Sequence, residues 1–264
     1  MADSSPVERA PDPTFDPATY GRSFADVYDA WYPADGTTAG TVDEVVRLAG
    51  TGGSVLELGV GTGRLALPLA ERGVRVTGLD AATEMLDRLA AKDPDGRVVR
   101  ALADVGAPEG RDGFPAWPDG PFDVVLAACN LLCNLTDERA QAACVAGAAS
   151  RLRPGGHLVV EAFVPAPLTP GPQLAASEVR ADAVVLIATD ADPDTGVVLG
   201  QHVELRDGAA PVRLRPWRIR VATPEEIDRW ATAAGLELVD RRETWGADGP
   251  PSDGLVSTYR RPTS

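Results

Sequence analysis

From Ser54 onward, short runs of apolar residues alternate with stretches of helical spacing. Ser54–Val60, Val74–Asp80, Arg97–Val105, Phe122–Asn130 and His157–Val164 are almost continuously apolar. Such runs mark strands covered on both faces. Thr62–Glu71 and Thr83–Ala91 carry apolar residues at helical intervals, and a third helix is predicted after Thr136, which is placed to cap it. Asp137 and Glu138 fall in that helix's first turn, Arg151 and Arg153 at its end, and Pro154-Gly155-Gly156 is expected to stop it. The alternation predicts an α/β fold with a doubly wound parallel sheet. One residue conflicts: Pro68 lies inside the first of these helices and should kink it.

The pattern differs on either side of this stretch. Residues 1–16 are polar and Pro-rich and read as a disordered tail. Residues 17–50 read as two helices, one carrying Tyr20, Phe24, Tyr28, Trp31 and Tyr32, the other opened by a capping box of Thr41 and Glu44. Residues 51–165 form the alternating core. Residues 166–221 read as an antiparallel platform of three strands, turning at Asp192–Gly196 and Asp207–Gly208. Residues 222–264 close the chain with a helix capped by Thr223, ended by Gly235, and followed by strands at Leu236–Glu243 and Leu255–Arg261.

Composition narrows the function classes. The 264 residues hold 25 Lys+Arg against 39 Asp+Glu, a formal charge of −14. That balance disfavours nucleic acid and anionic membranes as partners. Lys92 is the single lysine. Cys129, Cys133 and Cys144 form no Cys-x-x-Cys pair and there are only 2 His, so neither a disulfide framework nor a metal site is expected. With no apolar leader and no long apolar run, the expectation is a soluble protein of a reducing, cytoplasmic compartment.

The chemistry is concentrated in Glu57-Leu58-Gly59-Val60-Gly61-Thr62-Gly63, between the first strand and the first helix. A glycine-rich turn there lets the backbone approach a ligand closely. Asp80 ends the second strand, where a carboxylate in such a sheet accepts hydrogen bonds from ribose hydroxyls. A dinucleotide fingerprint requires Gly-x-Gly-x-x-Gly, but Arg64 occupies the last glycine position. Glu57 is also ill placed for a pyrophosphate and well placed for a cationic amino-acid moiety. A cation at a helix N-terminus is unfavourable, so Arg64 is expected to face solvent.

These residues resemble the motifs of class I S-adenosylmethionine (SAM)-dependent methyltransferases. Glu57–Gly63 resembles their first motif, and Asp80 with Met85 their ribose and adenine motif. Asp104 resembles the acid that meets the adenine amino group. Phe122-Asp123 and Leu152-Arg153-Pro154-Gly155-Gly156 also fit the family pattern. The resemblance implies a Rossmann-like seven-stranded sheet with the antiparallel platform inserted after strand five. It implies that Gly59, Gly61 and Gly63 pack on the methionyl part of SAM, with Glu57 near its amino group. Asp80 would hold the ribose, and Met85 and Val105 would sandwich the adenine that Asp104 hydrogen-bonds. Tyr20 to Asp29 is similar to the N-terminal segment of sugar-amine N-methyltransferases, and Asn130 to Leu135 to a stretch of N-terminal peptide methyltransferases. The implied acceptor is a small molecule methylated at nitrogen, with oxygen as the alternative.

Methyl transfer from a sulfonium needs alignment first and a base only where the nucleophile must shed a proton. Glu161, at the carboxyl end of strand five, is a candidate for binding a cationic amine or taking its proton. Asn130, after strand four, is a candidate for orienting the acceptor. His202 lies in an alternating strand whose face holds Val198, Glu204 and Arg206, so exposure competes with catalysis there. Tyr20 is the aromatic best placed to cover the cofactor, and the platform offers a surface for homodimer formation. Two other readings compete: an NAD-linked oxidoreductase, and a SAM-binding scaffold without turnover.

Overall fold

The computed structural model describes residues 15–163, 167–208, 211–245 and 251–263. Most of the expected tail, residues 1–14, therefore lies outside the described residues. Phe15 and Asp16 belong to the folded chain. Asp16 Oδ1 accepts from Ala18 N, Thr19 Oγ1 and Arg22, which fastens the start of α1 (Thr19–Phe24). After the short α2 (Tyr28–Trp31) comes α3 (Gly36–Ala49), which begins earlier than the Thr41–Glu44 pair predicts. The capping box is Asp35 with Thr38: each side chain accepts from the other residue's backbone N–H. Thr41 sits inside the helix and returns its hydroxyl proton to Thr37 O. Asp35, two residues after Pro33, outcompetes Thr41 because a carboxylate is the stronger acceptor for the first orphan N–H groups.

The central sheet has the order β10-β11-β5-β4-β1-β2-β3. Its parallel strands are β1 (Ser54–Leu58), β2 (Arg75–Asp80), β3 (Val98–Leu102), β4 (Phe122–Ala127) and β5 (Leu152–Phe163). The edge hairpin β10 (Glu237–Thr244) and β11 (Pro251–Arg260) joins antiparallel to β5. Alternate residues point to opposite faces. Leu56, Leu58, Val125, Leu158 and Val160 pack with α6 (Glu138–Arg151) and α7 (Pro224–Ala233) on one side. Val55, Val124, Leu126 and Val159 pack with α3, α4 (Ala66–Glu71) and α5 (Thr83–Lys92) on the other. Between β1 and β4 the strand order reverses, which opens a crevice at the carboxyl ends of the strands.

Three local expectations change. The first core helix starts at Ala66, not Thr62, so Pro68 falls in its first turn, where no N–H is needed and no kink arises. Asp137, not Thr136, caps α6, accepting from Ala140 N. The Pro154-Gly155-Gly156 segment runs within β5, which begins directly after the helix at Leu152, so Arg153 lies in the strand. At the end of the chain Thr223 caps α7 as expected, in a capping box with Glu226, and Pro224 opens the helix.

The platform has four strands rather than three: β6 (Gly171–Val179), β7 (Ala183–Asp192), β8 (Val197–Arg206) and β9 (Arg213–Arg220), all antiparallel in that order. The missed strand is β6, an exposed edge whose Gly171-Pro172 start hides its strand character. The inner face of the platform lies on α1. Arg215, 1% exposed, anchors this contact. Its guanidinium donates to both oxygens of Asp26 and to Ser23 O, stacks on Trp31, and lies 3.6 Å from Glu204.

Candidate active site

The glycine turn closes on Asp80. Gly59 and Gly61 have φ of +65° and +54°, conformations that favour glycine. A Cβ on Gly59 would strike Leu131 Cδ1 at 2.3 Å. Gly61 N donates to Asp80 Oδ2 and Ala82 N to Oδ1, at 2.8 and 2.9 Å. The carboxylate is thereby fixed in orientation with lone pairs to spare for two hydroxyls. Burial raises its pKa, and the N–H groups of Ala82 and Gly61 oppose that shift.

A cavity of about 330 Å³ opens beside this turn. Gly59, Gly61, Asp80, Met85, Asp104 and Val105 line it, with Tyr20 above. Its volume suits a small organic ligand. Asp104 is held by Gly106 N at 2.8 Å and Arg111 Nη1 at 3.1 Å, and Trp117 donates to its carbonyl. Gly63, expected on the cofactor, turns away: a Cβ there would meet Leu89 Cδ1 at 2.4 Å, so this glycine lets the turn pack on α5. Glu57 lies beneath the turn and outside the lining. It is 5% exposed and its Oε2 is buried without a hydrogen-bond partner. Burial pushes its pKa up to about 8, against the pull of Arg64 and with a push from Asp80.

A second cavity of about 390 Å³ adjoins the first and shares Tyr20, Tyr28, Cys129, Asn134 and Trp217 with it. All three catalytic candidates, Glu161, Asn130 and His202, line this space. Strand β4 ends two residues before Cys129, and Cys129 and Asn130 then take φ of +56° and +57°, which L side chains rarely adopt. Glu161 Oε2 accepts from Cys129 N at 2.6 Å, and its Oε1 from Trp245 Nε1 at 3.2 Å. The carboxylate is thus built into the support of this bend. Asn130 Oδ1 is buried without a partner.

His202 is half-buried rather than exposed. Its face of β8 is the inner one, packed on the N-terminal helices. Phe24 and Trp31 stand 5.2 and 5.5 Å from its ring, and Trp217 Nε1 donates to its Nδ1 at 2.9 Å. Burial and the Arg215 guanidinium hold its pKa below the ordinary value. Arg64 does not face solvent either. With α4 starting at Ala66 it escapes the helix N-terminus, lines the second cavity and donates to Cys129 Sγ. Withdrawal from bulk water pushes the Cys129 thiol up to about 11 despite this cation. Trp217 and Cys129 are among the wall residues that sequence reasoning missed. The αL pair leaves no signal in composition, whereas the period-two pattern of β9 could have marked Trp217.

The first cavity fits SAM. Its lining offers the oriented carboxylate of Asp80 and that of Asp104, and a buried carboxylate oxygen without a partner, on Glu57, lies beneath the turn, an acceptor set of the kind that a ribose, an amino group and an ammonium need. Residues 55–156 match the methyltransferase domain family. The chain is 31% identical over 242 residues to the cypemycin N-terminal methyltransferase of Streptomyces sp, covering 89% of this chain and 91% of that protein. It is likewise 31% identical over 225 residues to the nocamycin O-methyltransferase of Saccharothrix syringae, covering 75% and 76%. The solved structure of the CcbJ methyltransferase from Streptomyces caelestis superposes with a TM-score of 0.82 at 36% identity, covering 94% of this chain and 100% of that one. Among the described residues no helix is long and apolar enough to cross a membrane. The chain belongs to the class I SAM-dependent methyltransferases, among the enzymes of natural-product type.

Proposed function

We propose that this enzyme transfers the methyl group to an amine nitrogen of a small natural-product acceptor seated in the second cavity. The observation that carries this reading is that the two candidate bases of that wall, Glu161 and His202, are each built into the support of the fold through hydrogen bonds. Both oxygens of Glu161 accept protein N–H bonds, and His202 Nδ1 accepts from Trp217. An alcohol needs a base in contact with it, whereas an amine that has lost its proton to water arrives with a free lone pair. The rings of Tyr20, Phe24, Tyr28 and Trp217 supply faces that suit an amine body. A relative named for an N-terminal acceptor and another named for O-methylation leave both chemistries in the family, so the weight falls on the wall.

The bound cofactor supplies an activated methyl on a sulfonium. The roles that follow for this chain are positional. Asp80 holds the ribose, Asp104, Met85 and Val105 the adenine, and Glu57 with the turn at Gly59 and Gly61 the methionyl end. Tyr20 covers the junction of the two cavities. Glu161 acts as a positioning residue, holding the bend that presents Asn130 to the acceptor. The test is incubation with SAM and matched panels of small amines and alcohols, read by mass spectrometry. N-methylated products are expected. Methyl ethers alone would overturn the nitrogen assignment, and SAM binding with no product in either panel would favour the scaffold reading.

A further inference from the structure

The imidazole of His202 has a defined proton. Trp217 Nε1 can only donate, so the ring nitrogen it meets must be an acceptor. Nδ1 is therefore the bare nitrogen, and in the neutral ring the proton sits on Nε2. The bond is built into the platform. Trp217 pairs with Gly200 across β8 and β9, and a Cβ on Gly200 would come within 2.0 Å of the indole. Only a residue without a side chain lets the indole lie across β8 and reach His202. Phe24 and Trp31 hold the imidazole from the other sides, and neither ring offers a hydrogen-bond acceptor to an N–H. Among the described residues no hydrogen bond engages Nε2, and it is not among the buried orphaned atoms. His202 lines the second cavity. The ring therefore presents an N–H donor to whatever occupies that space.

We infer that His202 is a specificity residue that reads an oxygen on the acceptor. This rests on the amine reading above and deepens it. The acceptor class is an amine that also carries a hydroxyl, ether or carbonyl oxygen, which takes the Nε2–H bond while the amine faces the cofactor. The same tautomer makes His202 unsuited to be the base: its one lone pair is spent on Trp217. A site that offers a donor in an otherwise aromatic wall discriminates against the analogue that lacks the matching oxygen, because the donor is then left without a partner.

The chain has 2 His, so ring-nitrogen NMR of the whole protein loaded with S-adenosylhomocysteine gives a readily assigned pair of spectra. At pH 7.5 His202 is expected in the Nε2–H tautomer, and Gly200→Ala, which displaces the indole, should lose that pure signature. The probes are trans-2-aminocyclohexanol and cyclohexylamine, equal in ring and amine and different in one oxygen. The Nε2 resonance should move with the amino alcohol at a concentration about tenfold lower than with the plain amine. His202→Gln, which keeps a donor at the equivalent atom, should retain that preference, and His202→Phe should erase it, measured by competition binding. A proton on Nδ1, equal response to both probes, or no response to either would overturn the inference. Equal methylation of both amines would sink it while leaving the nitrogen assignment intact, whereas methylation of the probe's hydroxyl would sink the nitrogen assignment instead.

Discussion

The two cavities meet at five shared residues and are built in opposite ways. The cofactor side is made of backbone turns and strand-end carboxylates: Gly59, Gly61, Asp80 and Asp104 all sit where the parallel sheet delivers them. The acceptor side is made of rings brought from two separate segments, Tyr20, Phe24 and Tyr28 from the N-terminal helices and His202 and Trp217 from the platform. Backbone geometry is set by the fold, so the cofactor site tolerates little variation. A wall of side chains on an inserted sheet is free to be rebuilt. One core can thus serve relatives that methylate different acceptors.

The sharpest break of this division should come from Arg215, which belongs to neither cavity but clamps the two ring-bearing segments together. Arg215→Ala removes the guanidinium that ties Asp26 and Ser23 O to the platform and empties its buried place against Trp31, while Glu204 keeps Arg206 and Asp26 keeps Arg213. The expected cost is about 3 kcal/mol. At about 2–4 °C per kcal/mol that is a loss of roughly 6–12 °C in Tm, read by calorimetry. An unchanged Tm would show that the platform and the helices hold together without the clamp.

Next in size is Asp80→Ala. It removes an acceptor for two ribose hydroxyls and the tether of the glycine turn, so S-adenosylhomocysteine affinity should fall about 100-fold by titration calorimetry. Acceptor-side variants should leave that affinity nearly alone. If Asp80→Ala binds normally, the ribose assignment fails.

Glu57 gives a smaller and pH-dependent effect. The ammonium of SAM needs the carboxylate charged, while burial holds its pKa at about 8 in the free protein. Affinity should therefore rise with pH towards about 8, with proton release on binding, and fall beyond it as the ligand's own ammonium loses its proton. Glu57→Gln should weaken binding about tenfold and flatten the profile. The stability sign is opposite. The folded pKa lies above the ordinary carboxylate value, so the free protein is favoured at low pH and loses stability as pH rises from about 4.5 to about 8. The Gln variant escapes that loss, and at pH 9 it should melt higher than the unchanged free protein.

The smallest effect is expected from Glu161→Gln. An amide still accepts from Cys129 N through its oxygen but can no longer serve Trp245 with a second one. The acceptor KM and kcat should shift severalfold while cofactor affinity holds. A 1000-fold loss of kcat with a changed pH profile would instead make Glu161 the base.

This division also tracks what could be read from the residues alone. That the glycine turn, Asp80 and Asp104 meet at one cavity was legible because each stands at or just past the carboxyl end of a strand, and strands buried on both faces announce themselves as apolar runs. Helix starts were less so: Asp35 and Thr41, or Asp137 and Thr136, are all competent caps, and tertiary placement selects between them. The acceptor wall was the least legible. His202 stands on a strand face that also holds Glu204 and Arg206, and that face looks solvated until Arg215 and the N-terminal helices are laid over it. Arg64 was misjudged for a related reason: its surroundings change when the helix begins at Ala66, four residues later than expected.

One contact bears on how the protein can be handled at the bench. Asp29 on α2 accepts from Thr62 in the glycine turn and from Lys92 Nζ at 2.9 Å, so the N-terminal cover is fastened to the cofactor turn by an ammonium. Lys92 is the single lysine of the chain. Apart from the terminal amine, an amine-selective reagent therefore finds one target, and that ammonium is ion-paired to Asp29. Its labelling rate, compared with that of Asp29→Asn, reports how firmly this contact holds the N-terminal helices to the turn, readable by intact mass without a substrate or an engineered probe.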